Sequence, residues 1–178
     1  VKEDAVRLAE VKAGRVNATY ATAPMLDGLV ERSGDSLKIK GSEAGSLALM
    51  DYPVFNSYFL AFNYPKVDPD LRRAIALALD RKEIIKAAFP VSGIPAAGPI
   101  PLACAGYKTK VKDIRDLDAA KAALEAYKAK NPGVTPKIKL LTCEVAQSIP
   151  IGEVIQSQLK PLGIEVDLVQ QSFNAVIG

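Results

Sequence analysis

Two stretches of strand period flank one of helical period in the last third of this chain, and that order leaves little choice of sheet. Lys137–Thr142 has the aliphatic and β-branched content of a strand. Ile151, Val154, Ile155 and Leu159 then recur along one helix face, with Ser148 as the expected N-cap and Gly163 as the expected stop. Ile164, Val166 and Leu168 alternate along a second strand. Strands joined by a crossover helix pair in parallel, so the chain is expected to be α/β.

Upstream, Pro65 and Pro69 lead into Leu71, Ile75, Ala78 and Leu79, which are spaced for one face of a helix. Asp80 is expected to start the next helix, with Glu83 three residues on completing a capping box. Ile84, Ile85, Ala88 and Phe89 form its apolar stripe, and Pro90 stops it. Residues 90–107 are rich in Pro and Gly and read as a stiff loop. Leu117, Ala120, Leu124 and Tyr127 share a helix face over residues 116–130, which Asn131-Pro132-Gly133 ends. Nearer the start, residues 4–13 read as a helix capped by Asp4 and ended by Gly14. Val16–Tyr20 has strand alternation, 25–32 reads as a short helix before Ser33-Gly34-Asp35, and Leu37–Lys40 reads as a strand. A Gly/Ser-rich loop runs to Ser46, and the aromatic and aliphatic run Ser57–Asn63 reads as another strand.

With 178 residues, 49% hydrophobic and 24% charged, the chain can bury a core without metal or disulfide support. The net charge is only +3. Lys108, Lys110 and Lys112 form the densest basic stretch, but no aromatic platforms interleave with them, so no nucleic-acid partner is expected. No apolar run approaches the ~20 residues that span a bilayer, and the start carries no signal-peptide pattern.

The chain contains no histidine, which excludes Ser-His-Asp and Cys-His catalysis and any histidine-held metal. Cys104 and Cys143 lie far apart and read either as two separate, partly buried thiols or as a disulfide. Asp68, Asp70 and Asp80 could suggest an acid–base cluster, yet Asp70 in a first turn and Asp80 at a cap have a sufficient structural reason. Gly93–Gly98 lacks the Gly-Lys-Ser/Thr ending of a phosphate loop and carries a proline that removes an amide donor. Cys143 follows a strand end, a favoured place for functional groups, but no base is at hand to activate it. The chain is therefore expected not to be an enzyme, and no cofactor is called for.

Residues 58–107 carry a resemblance. Phe62-Asn63, Arg72-Arg73-Ala74-Ile75, Asp80-Arg81, Ile84-Ile85, Gly93, Pro99, Pro101, Gly106 and Tyr107 fall in order. This run resembles the signature region of the family-5 (cluster C) extracytoplasmic solute-binding proteins of ABC transporters, which include oligopeptide, dipeptide and nickel receptors. On either side, Gly14-Arg15-Val16-Asn17, Asp118–Leu124, Ile155-Gln156-Ser157-Gln158-Leu159 and Gly163–Val166 resemble further patterns of that family.

The resemblance implies a periplasmic-binding-protein-like type II fold, part of a two-lobe Venus-flytrap. Residues 1–57 would end the first lobe, 58–63 would be a hinge crossing strand, and 64–178 would form part of the second, C-terminal lobe. It implies a solute-binding component of an ABC importer. Such a protein captures oligopeptides or a similar solute between its lobes and delivers them to permease subunits. It would be a monomer, periplasmic or extracytoplasmic, associated with the membrane through the transporter or through a lipid anchor on an N-terminal segment absent from this chain. Asn56 and Tyr58 at the hinge, and Glu144 and Gln147 after the strand ending at Thr142, are the implied ligand contacts. That loop holds no arginine, where dipeptide receptors of the family use one for the ligand carboxylate. The alternative is a self-contained α/β interaction domain derived from such a receptor, without a transport role, which would have closed sheet edges and no cleft.

Overall fold

A computed structural model describes residues 3–26, 28–33, 36–40, 47–50, 56–89, 93–96, 98–101, 104, 114–145 and 147–177. The expectations for the Gly/Ser-rich loop at 41–46, the lysines at 108–112, Pro90, Gly106 and Tyr107 lie outside these residues. The chain divides into two compact units, Val1–Val54 with Phe89–Gly93, and Phe55–Ala88 with Ile94–Gly178.

In the first unit, helix α1 (Asp4–Lys12) ends at Ala13, and Gly14 follows at φ +69°, the left-handed conformation that suits glycine. Its N-cap is Glu3, without a side-chain cap bond, and Asp4 is already helical. The expected Asp4 cap is thus one residue out of place. Val16–Tyr20 forms no strand: its alternation finds no partner among the described residues, and a strand needs one. The helix expected over 25–32 is instead a single turn, α2 (Ala23–Leu26), followed by β1 (Val30–Ser33). β1 pairs antiparallel with β2 (Ser36–Ile39), Val30 opposite Ile39. The pull of cross-strand pairing at Val30 overrides the weak helical pattern.

The second unit holds the larger core. Helix α3 (Pro69–Ala78) starts on Asp68, whose carboxylate accepts from the Asp70 N–H at 2.8 Å, and buries Leu71, Ala74, Ile75 and Ala78. Proline at its first position costs nothing, because that N–H has no helical partner. Arg72 donates to the carbonyls of Tyr64 and Val67 and lies over the Tyr64 ring at 4.3 Å, which fastens the chain entering the helix. The run 57–63 before it joins no ladder among the described residues, contrary to the expected strand; its Leu60 and Phe62 pack on the core as extended chain.

Helix α4 (Arg81–Ala88) begins after Asp80, whose Oδ1 accepts from the N–H groups of Lys82 (3.0 Å) and Glu83 (3.2 Å). The other half of the expected capping box is supplied from a distance. The Asp80 N–H donates to Gln158 Oε1 at 2.8 Å, and Gln158 Nε2 donates back to the Asp80 carbonyl at 3.3 Å. Asp80 also accepts from Arg115 at 3.1 Å. Asp80→Ala is expected to cost about 1–2 kcal/mol, from a lost cap and a part-exposed ion pair, whereas Asp80→Asn, which keeps the acceptor, should cost less than about 1 kcal/mol. Urea unfolding of both variants checks this; equal losses would show that the cap contributes nothing.

Helix α5 (Leu117–Lys130) is capped by Asp116, which accepts from the Ala119 N–H at 2.9 Å, and buries Ala120, Ala123, Leu124 and Tyr127. It packs on α3. The Asp116 N–H donates to the Leu77 carbonyl at 2.9 Å at one end of the pair. At the other, Lys130 pairs with Asp70, whose carboxylate raises the lysine pKa by hydrogen bonding and charge.

Strand β3 (Lys137–Cys143) pairs with β4 (Glu165–Gln171) in parallel, Lys137 opposite Glu165 through Cys143 opposite Gln171. The crossover is α6 (Ser148–Leu159), extended by a turn of 3₁₀ helix at Lys160–Leu162 and stopped by Gly163 at φ +75°. The class expected from the sequence is therefore present. Ser148 is the first helical residue, not the cap; Gln147 is the cap, without a side-chain cap bond. The Ser148 hydroxyl instead accepts from the Cys143 N–H at 3.0 Å. A short helix, α7 (Phe173–Ile177), follows β4 and packs on β3.

Helix α6 lies close on one face of the sheet. A Cβ at Gly152 would stand 2.6 Å from Leu168 Cδ1 and 2.8 Å from Thr142 Cγ2. By alternation, Ile138, Leu140, Thr142, Val166 and Leu168 share that face, and Lys137, Lys139, Glu165 and Asp167 share the other. Ile75, Leu159 and Ile164 are the largest fully buried side chains and lie in one cluster with α3 and α5.

Candidate functional site

The sequence places two candidate contacts after β3 and two before α3, and the structure sets them on two segments of the second unit. β3 ends at Cys143, and the chain reaches α6 through Glu144, Val145 and Gln147. This loop is fixed at its neck by the Cys143-to-Ser148 bond and by the Ser148 N–H donating to the Val145 carbonyl at 2.8 Å. The Ile151 N–H donates to the Gln147 carbonyl at 3.2 Å, the first helical bond of α6. Held so, Glu144 points a charged side chain into solvent from a strand end, and Gln147 is half-buried at the start of the helix.

Asn56 is exposed and Tyr58 is 54% exposed, both on the extended segment leading to α3. Phe59 beside them is 84% exposed, while Leu60 and Phe62 turn to the core. Glu144 and Gln147 thus share one loop and Asn56 and Tyr58 one segment. Among the described residues no hydrogen bond joins Asn56 to the loop.

The groups assembled here are hydrogen-bond donors and acceptors and one carboxylate. Cys104 and Cys143 are free thiols, half-buried, so the reading as separate thiols is the one the structure takes. Among the described residues no three of His, Cys, Asp and Glu gather as metal ligands, and no helix is long and apolar enough to cross a membrane. Asp70 and Asp80, weighed above as possible acids, are committed to Lys130 and to Arg115 and the α4 cap. Gln158, whose amide grips the Asp80 backbone, is a structural residue that sequence reasoning registered only as part of a family pattern.

Compared with known proteins, residues 1–177 match the family described as bacterial extracellular solute-binding proteins, family 5, middle region. The chain belongs to this family. A di/tripeptide-binding protein of Pseudomonas aeruginosa is 32% identical over 120 residues, covering 64% of this chain and 22% of the relative. A dipeptide-binding protein of Escherichia coli is 34% identical over 84 residues, covering 45% of this chain and 16% of the relative. The chain thus spans about a fifth of the length of these curated relatives. The solved structure of the oligopeptide-binding protein AppA from Bacillus subtilis, in complex with a nonapeptide, matches 99% of this chain with a TM-score of 0.70 at 20% identity, over 36% of its own length. This family-5 chain has, in part, the type II periplasmic-binding-protein fold expected from its sequence. Members of family 5 are extracellular solute-binding receptors.

Proposed function

We propose that this protein is the solute-binding component of an ABC importer and that it captures small peptides. The observation that carries the reading is the family match over residues 1–177, together with relatives named for di- and tripeptides. Residues 1–57 are the end of one lobe, 58–63 a crossing at the hinge and 64–178 part of the second lobe. A solute held between the lobes stabilises the closed state by the difference in its affinity for closed and open forms. The closed lobes then present the solute to the permease outside the cytoplasm, with the protein held near the membrane by the transporter or by a lipid anchor.

Asn56 and Tyr58 on the hinge side, and Glu144 and Gln147 on the strand-end loop, supply contacts to the solute. The loop has no arginine, so a peptide carboxylate is not met by a guanidinium there. Glu144 suits a cationic group, such as a peptide amine or a basic side chain, and the Gln147 amide suits peptide backbone. Hydrogen bonds to the peptide backbone, direct or through water, read chain shape more than side-chain identity.

Glu144→Ala and Gln147→Ala are each expected to weaken peptide binding by roughly three- to ten-fold, the weight of one hydrogen bond in a binding site. Titration calorimetry with di- and tripeptides measures this. If both variants bind as the unaltered protein does, the loop is not at the cleft. If the unaltered protein binds no peptide, the function itself fails.

A further inference from the structure

Ser148 stands at the first position of α6, yet its side chain does not cap the helix. Its hydroxyl accepts instead from the Cys143 N–H at 3.0 Å, across the loop that holds Glu144 and Gln147. The ladder explains why that N–H needs an acceptor. The Glu165 N–H donates to the Pro136 carbonyl at 2.8 Å, so by parallel alternation Ile138, Leu140 and Thr142 turn their backbone groups toward β4. Cys143, the last residue of β3, therefore turns its N–H away from β4, and the serine oxygen meets it there.

Ser148 is tied to the loop a second time. Its own N–H donates to the Val145 carbonyl at 2.8 Å, which closes a tight turn. Glu144 thus lies between two residues that Ser148 holds, and Gln147 directly precedes it in the chain. The frame on either side is firm. At Gly152, α6 lies so close to the sheet that an added Cβ would meet Thr142 and Leu168, and Thr142 is buried. Removing the hydroxyl therefore loosens the loop while the strand and the helix keep their places.

We infer that Ser148 is a positioning residue for solute binding, acting through Glu144 and Gln147. The inference rests on the reading above that these two side chains meet a peptide. A loop already held in its binding shape loses less freedom when the ligand arrives, so the order that one hydroxyl supplies appears as affinity.

The test is the peptide affinity of the full chain, measured by titration calorimetry with di- and tripeptides, beside hydrogen exchange at the Cys143 amide. Ser148→Ala should bind roughly five-fold more weakly and exchange faster at that amide. Ser148→Thr, which keeps the hydroxyl, should stay within about two-fold of the unaltered protein. In a variant already carrying Glu144→Ala and Gln147→Ala, adding Ser148→Ala should cost less than about two-fold, because its effect passes through those side chains. The inference is wrong if Ser148→Ala binds as the unaltered protein does, or leaves exchange at Cys143 unchanged. It is equally wrong if threonine binds as weakly as alanine, or if the full loss persists without Glu144 and Gln147. An unaltered protein that binds no di- or tripeptide overturns the proposed function itself, and this inference with it.

Discussion

Leu159→Ala is expected to lower the stability of the second unit by about 4 kcal/mol and its melting temperature by roughly 16 °C. Leu159 is fully buried, at 0% exposure, near the end of α6. It belongs to one cluster with Leu71 and Ile75 of α3, Leu124 and Tyr127 of α5, Ile138 of β3 and Ile155 of its own helix. Truncation removes its transfer free energy and leaves a cavity whose walls belong to several elements. Those walls are fixed independently: α3 and α5 by the Asp70–Lys130 pair and the Asp116-to-Leu77 bond, α4 and α6 by the Gln158 amide. The site therefore cannot collapse cheaply, which puts the loss in the upper half of the 2–5 kcal/mol range for such changes. Leu159→Met, which conserves volume, should cost less than about 1.5 kcal/mol. Urea unfolding followed by far-UV circular dichroism measures both, and similar losses for the two would mean that the cluster is not tightly packed.

Gly152→Val is expected to cost about 3 kcal/mol, although glycine within a helix is ordinarily the poorer residue. Replacing a helical glycine by alanine gains up to about 1 kcal/mol where space is free. At Gly152 the added carbon meets Leu168 Cδ1 at 2.6 Å and Thr142 Cγ2 at 2.8 Å. The Leu168 tip can rotate away. The Thr142 methyl sits on Cβ, on a strand held by its ladder, and can retreat only with the backbone. Gly152→Ala should therefore net a loss of about 1 kcal/mol, and valine, with branches to place in the same gap, more. Thr142→Ser removes the methyl that blocks the space, so the double variant with Gly152→Ala should lose less than the sum of its parts. Additive losses in that cycle would show that the two positions do not compete for room.

These two positions also mark what could be read from the sequence. The apolar spacing at Leu71, Ile75 and Ala78, and at Ala120, Leu124 and Tyr127, was enough for α3 and α5, because long periodic stripes survive any tertiary context. The strand–helix–strand order at 137–168 was enough for the parallel pair, because chain connectivity dictates it. Short runs failed where the outcome depends on a partner distant in sequence. Val16–Tyr20 and Ser57–Asn63 alternate or carry strand-forming residues but meet no ladder among the described residues. Val30 leaves its expected helix for β2.

Caps failed for a related reason. Asp4 and Ser148 are cap-forming residues one position late, and the expected Glu83 half of the α4 capping box is taken by Gln158, far away in sequence. The close approach at Gly152 left one readable signal, a glycine inside a helical pattern, which often marks tight packing. Of the candidate site, the strand-end loop was legible as a place, because parallel sheets put groups there. The proposed roles of Asn56, Tyr58, Glu144 and Gln147 depend on what faces each of them in the folded protein, and local pattern does not encode that.

The most direct test is the melting temperature of the purified protein against three solute classes: di- to pentapeptides, nickel complexes and short oligosaccharides. A ligand bound by the native state alone, present at about a hundred times its dissociation constant, adds about 2.7 kcal/mol, which is several degrees. The account predicts a saturable rise with the peptides and none with the other two classes. A cooperative melt that no peptide moves, or one that only nickel complexes or oligosaccharides raise, would contradict it.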